Sequence, residues 1–293
     1  MILVAGATGY LGSEICRRLV ATGERVRGLV RPTSDPAAVE RLRALGVETV
    51  QGDLRDRASL DAACRGATGV VTTATTTLSR QPGDSIAVTD QDGQLALVDA
   101  ARAAGVERFV YVSYSGNFDG DDPLTRAKRS VERRLRESGL TYTILRPSVF
   151  MDIWLSPALG FDYANARATV YGSGEHAISW IALGDVAEFA VRSLSDPAAA
   201  NATIELGGPE ALSPDEVVRI FEEAAGRPFE VQRVPEDALR AQQAAATEEL
   251  PRVFATLMLG LARGDVIPMD ETLRRWPLQL TSVRDYARAV LPT

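Results

Sequence analysis

Ile2-Leu3-Val4-Ala5-Gly6-Ala7-Thr8-Gly9-Tyr10-Leu11-Gly12 is the stretch that decides the fold, because a short apolar strand runs straight through three spaced glycines into the helical pattern Leu11 to Thr22. Gly6 permits a tight turn, Gly9 lets the backbone approach a pyrophosphate, and Gly12 allows close packing of helix on strand. The free N–H groups and positive dipole end of the helix then receive the anion. A glycine pattern elsewhere carries little weight. At the mouth of a β/α array it predicts dinucleotide binding, with contacts at Gly6, Thr8, Gly9, Tyr10, Leu11 and Gly12.

Further strands are expected at Arg25 to Val30, Val47 to Gln51, Gly69 to Thr72, Arg108 to Ser113 and Thr141 to Leu145, separated by helical patterns such as Pro36 to Leu45, Gln91 to Ala104 and Pro123 to Glu137. Their apolarity without clean alternation predicts a parallel sheet covered on both faces, with ligand at the carboxyl ends of the strands. After Pro147 the rhythm breaks into an aromatic stretch containing Phe150, Trp154, Phe161, Tyr163 and Tyr171, read either as a substrate wall or as a second small core. The expected fold class is α/β, a doubly wound parallel sheet with a smaller, mainly helical C-terminal substrate domain. Residues 1–150 form the first domain, with 178–206 returning to it; 151–177 and 207–293 form the second.

Of the 293 residues, 45% are hydrophobic and 24% charged, an ordinary globular composition. No apolar run approaches the roughly 18 residues of a membrane span, and no leader segment opens the chain, so a cytoplasmic protein without membrane contact is expected. A net charge of −7 disfavours nucleic acid. Two cysteines and one histidine, His176, are too few for a disulfide framework or a Cys/His zinc site, and no metal is expected.

At the end of the second strand, an acid would bind a free ribose 2′-hydroxyl and a cation a 2′-phosphate. Arg31, followed by Thr33 and Ser34, favours NADP(H) over NAD(H), against the alternative of a solvated surface arginine. Asp53, with Leu54 after the third strand, either reaches the adenine or caps the next helix. Lys128 is the single lysine among 32 basic residues. A compact ammonium fits between ribose hydroxyls where a guanidinium does not, and Lys128 follows the fifth strand early in a helix. Composition bias is the alternative.

The chain resembles the NmrA-like, atypical short-chain dehydrogenases, which include NADPH-dependent quinone and triphenylmethane reductases. The resemblance is carried by the glycine loop, by 104–113 (AGVERFVYVS), by Lys128 with Val131-Glu132, by 138–147 (SGLTYTILRP), by Trp180-Ile181 before Gly184-Asp185-Val186-Ala187, and by 206–210 (LGGPE). It implies a Rossmann fold, NADP along the strand ends, and a small domain closing over the nicotinamide. It also implies that Pro147, Val149 and Phe150 flank the nicotinamide.

One departure matters. The proton-donating tyrosine typical four residues before the lysine is replaced by Leu124. Ser113 and Tyr114 are the candidate stand-ins and, with Lys128, the candidate catalytic residues; Thr73 and Thr75, from a threonine cluster after the fourth strand, are assigned to the cofactor. Hydride delivery to a quinone yields a resonance-stabilised phenolate and tolerates the loss of an acid. The expected function is therefore an NADPH-dependent oxidoreductase of a quinone or other flat aromatic acceptor, a monomer or homodimer, with tailoring of aromatic polyketides (reduction, or oxygen-dependent hydroxylation) as one setting. A non-catalytic NADP(H) sensor acting through a protein partner is the alternative.

Overall fold

A computed structural model describes residues 1–77, 81–118, 120 and 122–291. The chain divides into two compact units. The first comprises Met1–Ser113, Pro123–Arg146 and Val186–Ile204. Its strands are β1 (Ile2–Ala5), β2 (Val26–Val30), β3 (Glu48–Gln51), β4 (Gly69–Thr72), β5 (Arg108–Val112), β6 (Thr141–Pro147) and β9 (Ala202–Leu206), in the sheet order β3-β2-β1-β4-β5-β6-β9. The pairs from β3 through to β6 are all parallel, with Val4 opposite Gly28 on one side and Val71 on the other. Leu3, Val4, Val70, Val71, Phe109 and Val110 are fully buried. That is why these strands read as continuous apolar runs: both sheet faces are covered. The connecting helices are α1 (Tyr10–Ala21), α2 (Pro36–Ala44), α3 (Arg57–Cys64), α4 (Gln94–Ala103) and α5 (Pro123–Glu137).

The helix expected from Gln91 is present as α4 from Gln94, but its first three residues belong to a segment of another kind. A π-helical segment, Ile86–Gly93, starts on Ser85, whose side chain accepts from Val88 N, and runs directly into α4. Two polar side chains are buried here, Asp90 in the π-helical segment and Gln94 at the start of α4, each 1% exposed. Gln94 accepts from Thr72 Oγ1 at 3.1 Å and donates to Ala74 O at 2.9 Å, fixing the start of the loop after β4.

The second unit comprises Tyr114–Asp122, Pro147–Asp185 and Glu205–Thr293, so 178–185 belong to it, whereas 186–204 belong to the first. It contains α6 (Met151–Trp154), β7 (Phe161–Asp162), β8 (Arg167–Tyr171), α8 (Pro214–Ala225), β10 (Glu230–Val234), α9 (Glu236–Ala245), α10 (Glu249–Arg263), α11 (Asp270–Arg275) and α12 (Val283–Val290), while α7 (Leu183–Ser193) leads back to the first unit. The sheet β10-β8-β7 was not legible in the sequence. Strand β10 offers only Val231 and Val234 as apolar residues, and its parallel partner β8 lies some sixty positions earlier. Helix α8 starts on Ser213, which forms a full capping box with Glu216.

Substituting Leu97, wholly buried in the core between sheet and helices, by Ala is expected to cost about 2–5 kcal/mol, read as a lowered urea midpoint with an unchanged slope.

Candidate active site

The turn from β1 into α1 is shaped by close backbone approach. Gly6 has φ +84°, and a Cβ there would stand 2.7 Å from Thr73 Oγ1 and 2.8 Å from Ala74 N. A Cβ on Gly12 would stand 2.1 Å from Gly6 O. Gly9 N donates to Gly6 O at 3.0 Å, closing the turn. Gly9 is also the N-cap of α1, which has no side-chain cap and no acid in its first turn. The first N–H groups of a helix have no acceptor of their own, so this end is suited to an anion. The observed turn thus fits a dinucleotide pyrophosphate. Tyr10 is 74% exposed, whereas Leu11 packs inward and offers only its backbone. Of the threonines, Thr73 joins the glycine turn through its N–H to Ala5 O at 3.0 Å. Thr75 turns instead to Thr77, with the hydroxyls 3.3 Å apart.

Arg31 does not stand as a lone cation. Its Nη1 donates to Asp84 Oδ2 at 2.7 Å, and Asp84 also faces Arg55 Nη1 at 3.6 Å. Asp84 is completed by Gln81 N and Thr89 Oγ1. The sequence shows no acid beside Arg31 until Asp35, because Asp84 arrives from fifty-three positions away. Asp53 neither caps the following helix nor stands free. Asp56 provides the cap, and Asp53 grips Arg55 through Nε at 2.9 Å and Nη2 at 2.7 Å. The Arg55 hydrogen bond holds the Asp53 carboxyl below its ordinary range. Leu54 is 6% exposed and belongs to the core. Beside Arg31 an open groove of about 590 Å³ runs over Pro32, Ser34, Glu40, Arg43 and Gln51.

Lys128 lies in the first half of α5 at 7% exposure, its Nζ donating to Val112 O at 3.3 Å and standing 5.2 Å over the Tyr111 ring. Burial pushes its pKa down, while the nearby charges of Asp90 and Glu132 oppose that. Leu124, where a tyrosine would stand, is 4% exposed. Ser113 is engaged elsewhere. Its Oγ donates to Glu132 Oε1 at 2.7 Å and accepts from Arg129 Nη1 at 3.2 Å. Glu132, fully buried, also binds Arg146 through Nε at 3.0 Å and Nη2 at 2.5 Å, and Arg136 at 3.3 Å. Burial raises the Glu132 pKa, but the hydrogen bonds from Arg146 and Ser113 and the charges of Arg129 and Arg146 outweigh it and hold the carboxyl at about 2. Both cysteines are buried, and desolvation pushes Cys16 up to about 12, well away from thiolate chemistry.

Tyr114, Pro147, Val149 and Phe150 belong to the second unit. Tyr114 packs beside Phe118 at 6.0 Å between ring centroids, Val149 is 5% exposed in that unit's core, and Phe150 is the N-cap of α6. Asp265 is the residue that sequence reasoning missed. At 1% exposure it accepts from Ser115 Oγ at 2.7 Å, Asn117 Nδ2 at 2.7 Å and Ser148 Oγ at 2.5 Å, joining two loops that are distant in sequence. Nothing local marks an acid in a helical tail as such a hub. The aromatic stretch mostly fills a core, with Phe161 against Phe221 at 4.7 Å and Phe229 at 5.9 Å. A small cavity of about 30 Å³ lies among Trp154, Phe161, Tyr171 and Trp180. His176 is exposed. Among the described residues no three His, Cys, Asp or Glu side chains form a metal cluster, and no helix is long and apolar enough to cross a membrane.

A model of the NmrA-like family matches residues 1–262. The chain belongs to the NmrA-like family. Relatives of this NmrA-like protein include the NAD(P)H azoreductase of Xenophilus azovorans, 34% identical over 260 residues, covering 88% of this chain and 85% of the relative. Another is the (4-alkanoyl-5-oxo-2,5-dihydrofuran-3-yl)methyl phosphate reductase of Streptomyces griseus, 35% identical, covering 82% and 79%. The fold is shared with an NADPH-dependent quinone oxidoreductase of Escherichia coli solved with NADPH (TM-score 0.80, 23% identity, 99% of both chains). It is shared too with the Citrobacter triphenylmethane reductase solved with NADP(H) (TM-score 0.80, 20% identity, 99% and 100%).

Because the Glu132 carboxyl is held at about 2 against an ordinary 4.5, its stabilisation is complete above pH 4.5 and is lost as pH falls toward 2. In urea melts from pH 7 to 3, Glu132→Gln is expected to be markedly less stable than wild type at pH 7, with the gap narrowing below pH 4.5.

Proposed function

We propose that this NmrA-like protein is an NADPH-dependent reductase of flat conjugated acceptors, quinones and azo compounds foremost. The observation that carries this reading is the pairing of a buried lysine, Lys128, with a buried leucine, Leu124, where a proton-donating tyrosine would stand. Ser113, the candidate hydroxyl at the end of β5, donates to Glu132 instead. A reaction that makes an alkoxide needs an acid in its transition state. A reaction that makes a phenolate or another delocalised anion needs mainly electrostatic help. The azoreductase relative, named for NAD(P)H and an azo acceptor, supports the same class.

When bound, NADPH supplies the hydride. The glycine turn and the open end of α1 hold the pyrophosphate; Arg31, oriented by Asp84, receives the 2′-phosphate. Thr73 borders the turn. Lys128 binds the nicotinamide ribose, and its positive charge favours electron density arriving on the acceptor. A setting in aromatic-polyketide tailoring is a finer version of this reading, and the furanone phosphate named for the Streptomyces griseus relative joins the acceptors to be screened.

Anaerobic NADPH oxidation against naphthoquinones, anthraquinones, azo dyes and that furanone phosphate is the test. Turnover is expected, reduced about a hundredfold in kcat/KM by Lys128→Ala. Arg31→Ala is expected to raise the KM for NADPH about tenfold while leaving that for NADH nearly unchanged. Tight NADPH binding with no turnover on any acceptor would favour a nucleotide sensor instead.

A further inference from the structure

Asp90 is a buried carboxylate that the proposed reaction does not use. It sits in the π-helical segment at 1% exposure, and its Oδ2 accepts from Thr76 N at 3.1 Å and Thr76 Oγ1 at 2.6 Å. Among the described residues its Oδ1 has no hydrogen-bond partner, and it is out of contact with solvent. An anion stripped of water and half-paired is costly unless a cation compensates it. Among the buried polar residues described, Lys128 is the one basic side chain. The two elements pack together, the π-helical segment against α5. Lys128 Nζ spends one of its three donors, on Val112 O.

The other groups facing Lys128 do not supply the missing charge. Glu132, one turn further on α5, is already saturated by Arg129, Arg136 and Arg146. Arg129 repels the ammonium. From β5 come the carbonyl of Val112 and the face of Tyr111, neither of which carries a charge. Asp90 is the strongest of the charges acting on Lys128. π-Helical turns commonly mark functional positions because the extra residue redirects a side chain inward.

We propose that Asp90 is the counter-ion of Lys128, a positioning residue that keeps the ammonium charged in its buried place and, through Thr76, fixes the loop after β4 in the same act. The pairing is a property of the chain's own side chains; its consequence for turnover rests on the role of Lys128 proposed above.

The single lysine makes a direct test possible. Protein grown with ¹³C-labelled lysine gives one lysine Cε resonance, whose movement with pH reports the protonation of Lys128 alone. In Asp90→Asn the midpoint is expected to fall by about one unit or more, and in Asp90→Glu to stay near that of wild type. An unchanged midpoint in Asp90→Asn, with matching circular dichroism and thermal melt, would overturn the proposal. Should Asp90→Asn alone not fold, the double variant Asp90→Asn/Lys128→Met decides: recovered folding supports the pair, and continued failure overturns it. NADPH titration of the wild type, followed by fluorescence, separates the two claims. Absence of binding would sink the reductase reading and leave the lysine midpoint to judge Asp90.

Discussion

Glu132 is a carboxylate with no water to solvate it, and the architecture around Lys128 follows from how that charge is held. Arg129 and Arg136 reach it from its own helix, Arg146 from β6, and the Ser113 hydroxyl from the end of β5. Losing any one partner leaves uncompensated charge in a low-dielectric interior, which costs more than a surface ion pair contributes. The cluster therefore locks the ends of two adjacent strands to one face of α5. Lys128, one turn earlier on that helix, inherits its backbone position from this lock, while Val112 O and the Tyr111 ring meet its ammonium.

A buried carboxylate fixes two further loops of the first unit. Asp84 gathers Arg31 and Arg55, and Asp90 gathers the backbone and hydroxyl of Thr76. In the second unit Asp265 collects Ser115, Asn117 and Ser148. Loops that bind ligands are short of apolar surface to bury, so charge and hydrogen bonds fix them instead. A chain that is nearly all arginine among its cations suits this role. The planar guanidinium bridges carboxylates with several donors in fixed geometry, whereas an ammonium is a mobile point charge. The one ammonium is kept where a compact cation is wanted.

The glycine turn shows how far local reading reaches. Gly6 and Gly12 are required by contacts within a few residues of themselves, or with the strand next door, so their spacing alone announced the turn. Arg31 and Asp53 show where it stops. Arg31 is met by Asp84 from fifty-three positions away, while Asp53 is taken by Arg55 only two residues on. Ser113 looked available because a serine after a strand is ordinarily free; only the fold brings Glu132 within 2.7 Å of it.

By itself the sequence determined the parallel sheet, its order of strands and helices, the glycine turn, the singular lysine and the missing tyrosine, since each rests on hydrophobic periodicity or on residue type at short range. Only the tertiary structure decided which carboxylate meets which cation, that Gln91 to Gly93 belong to a π-helical segment, that β10 pairs with β8, and that the aromatics after Phe150 build mostly a core. Those outcomes depend on partners tens of residues apart, and desolvation sets their strength only once the chain has closed around them.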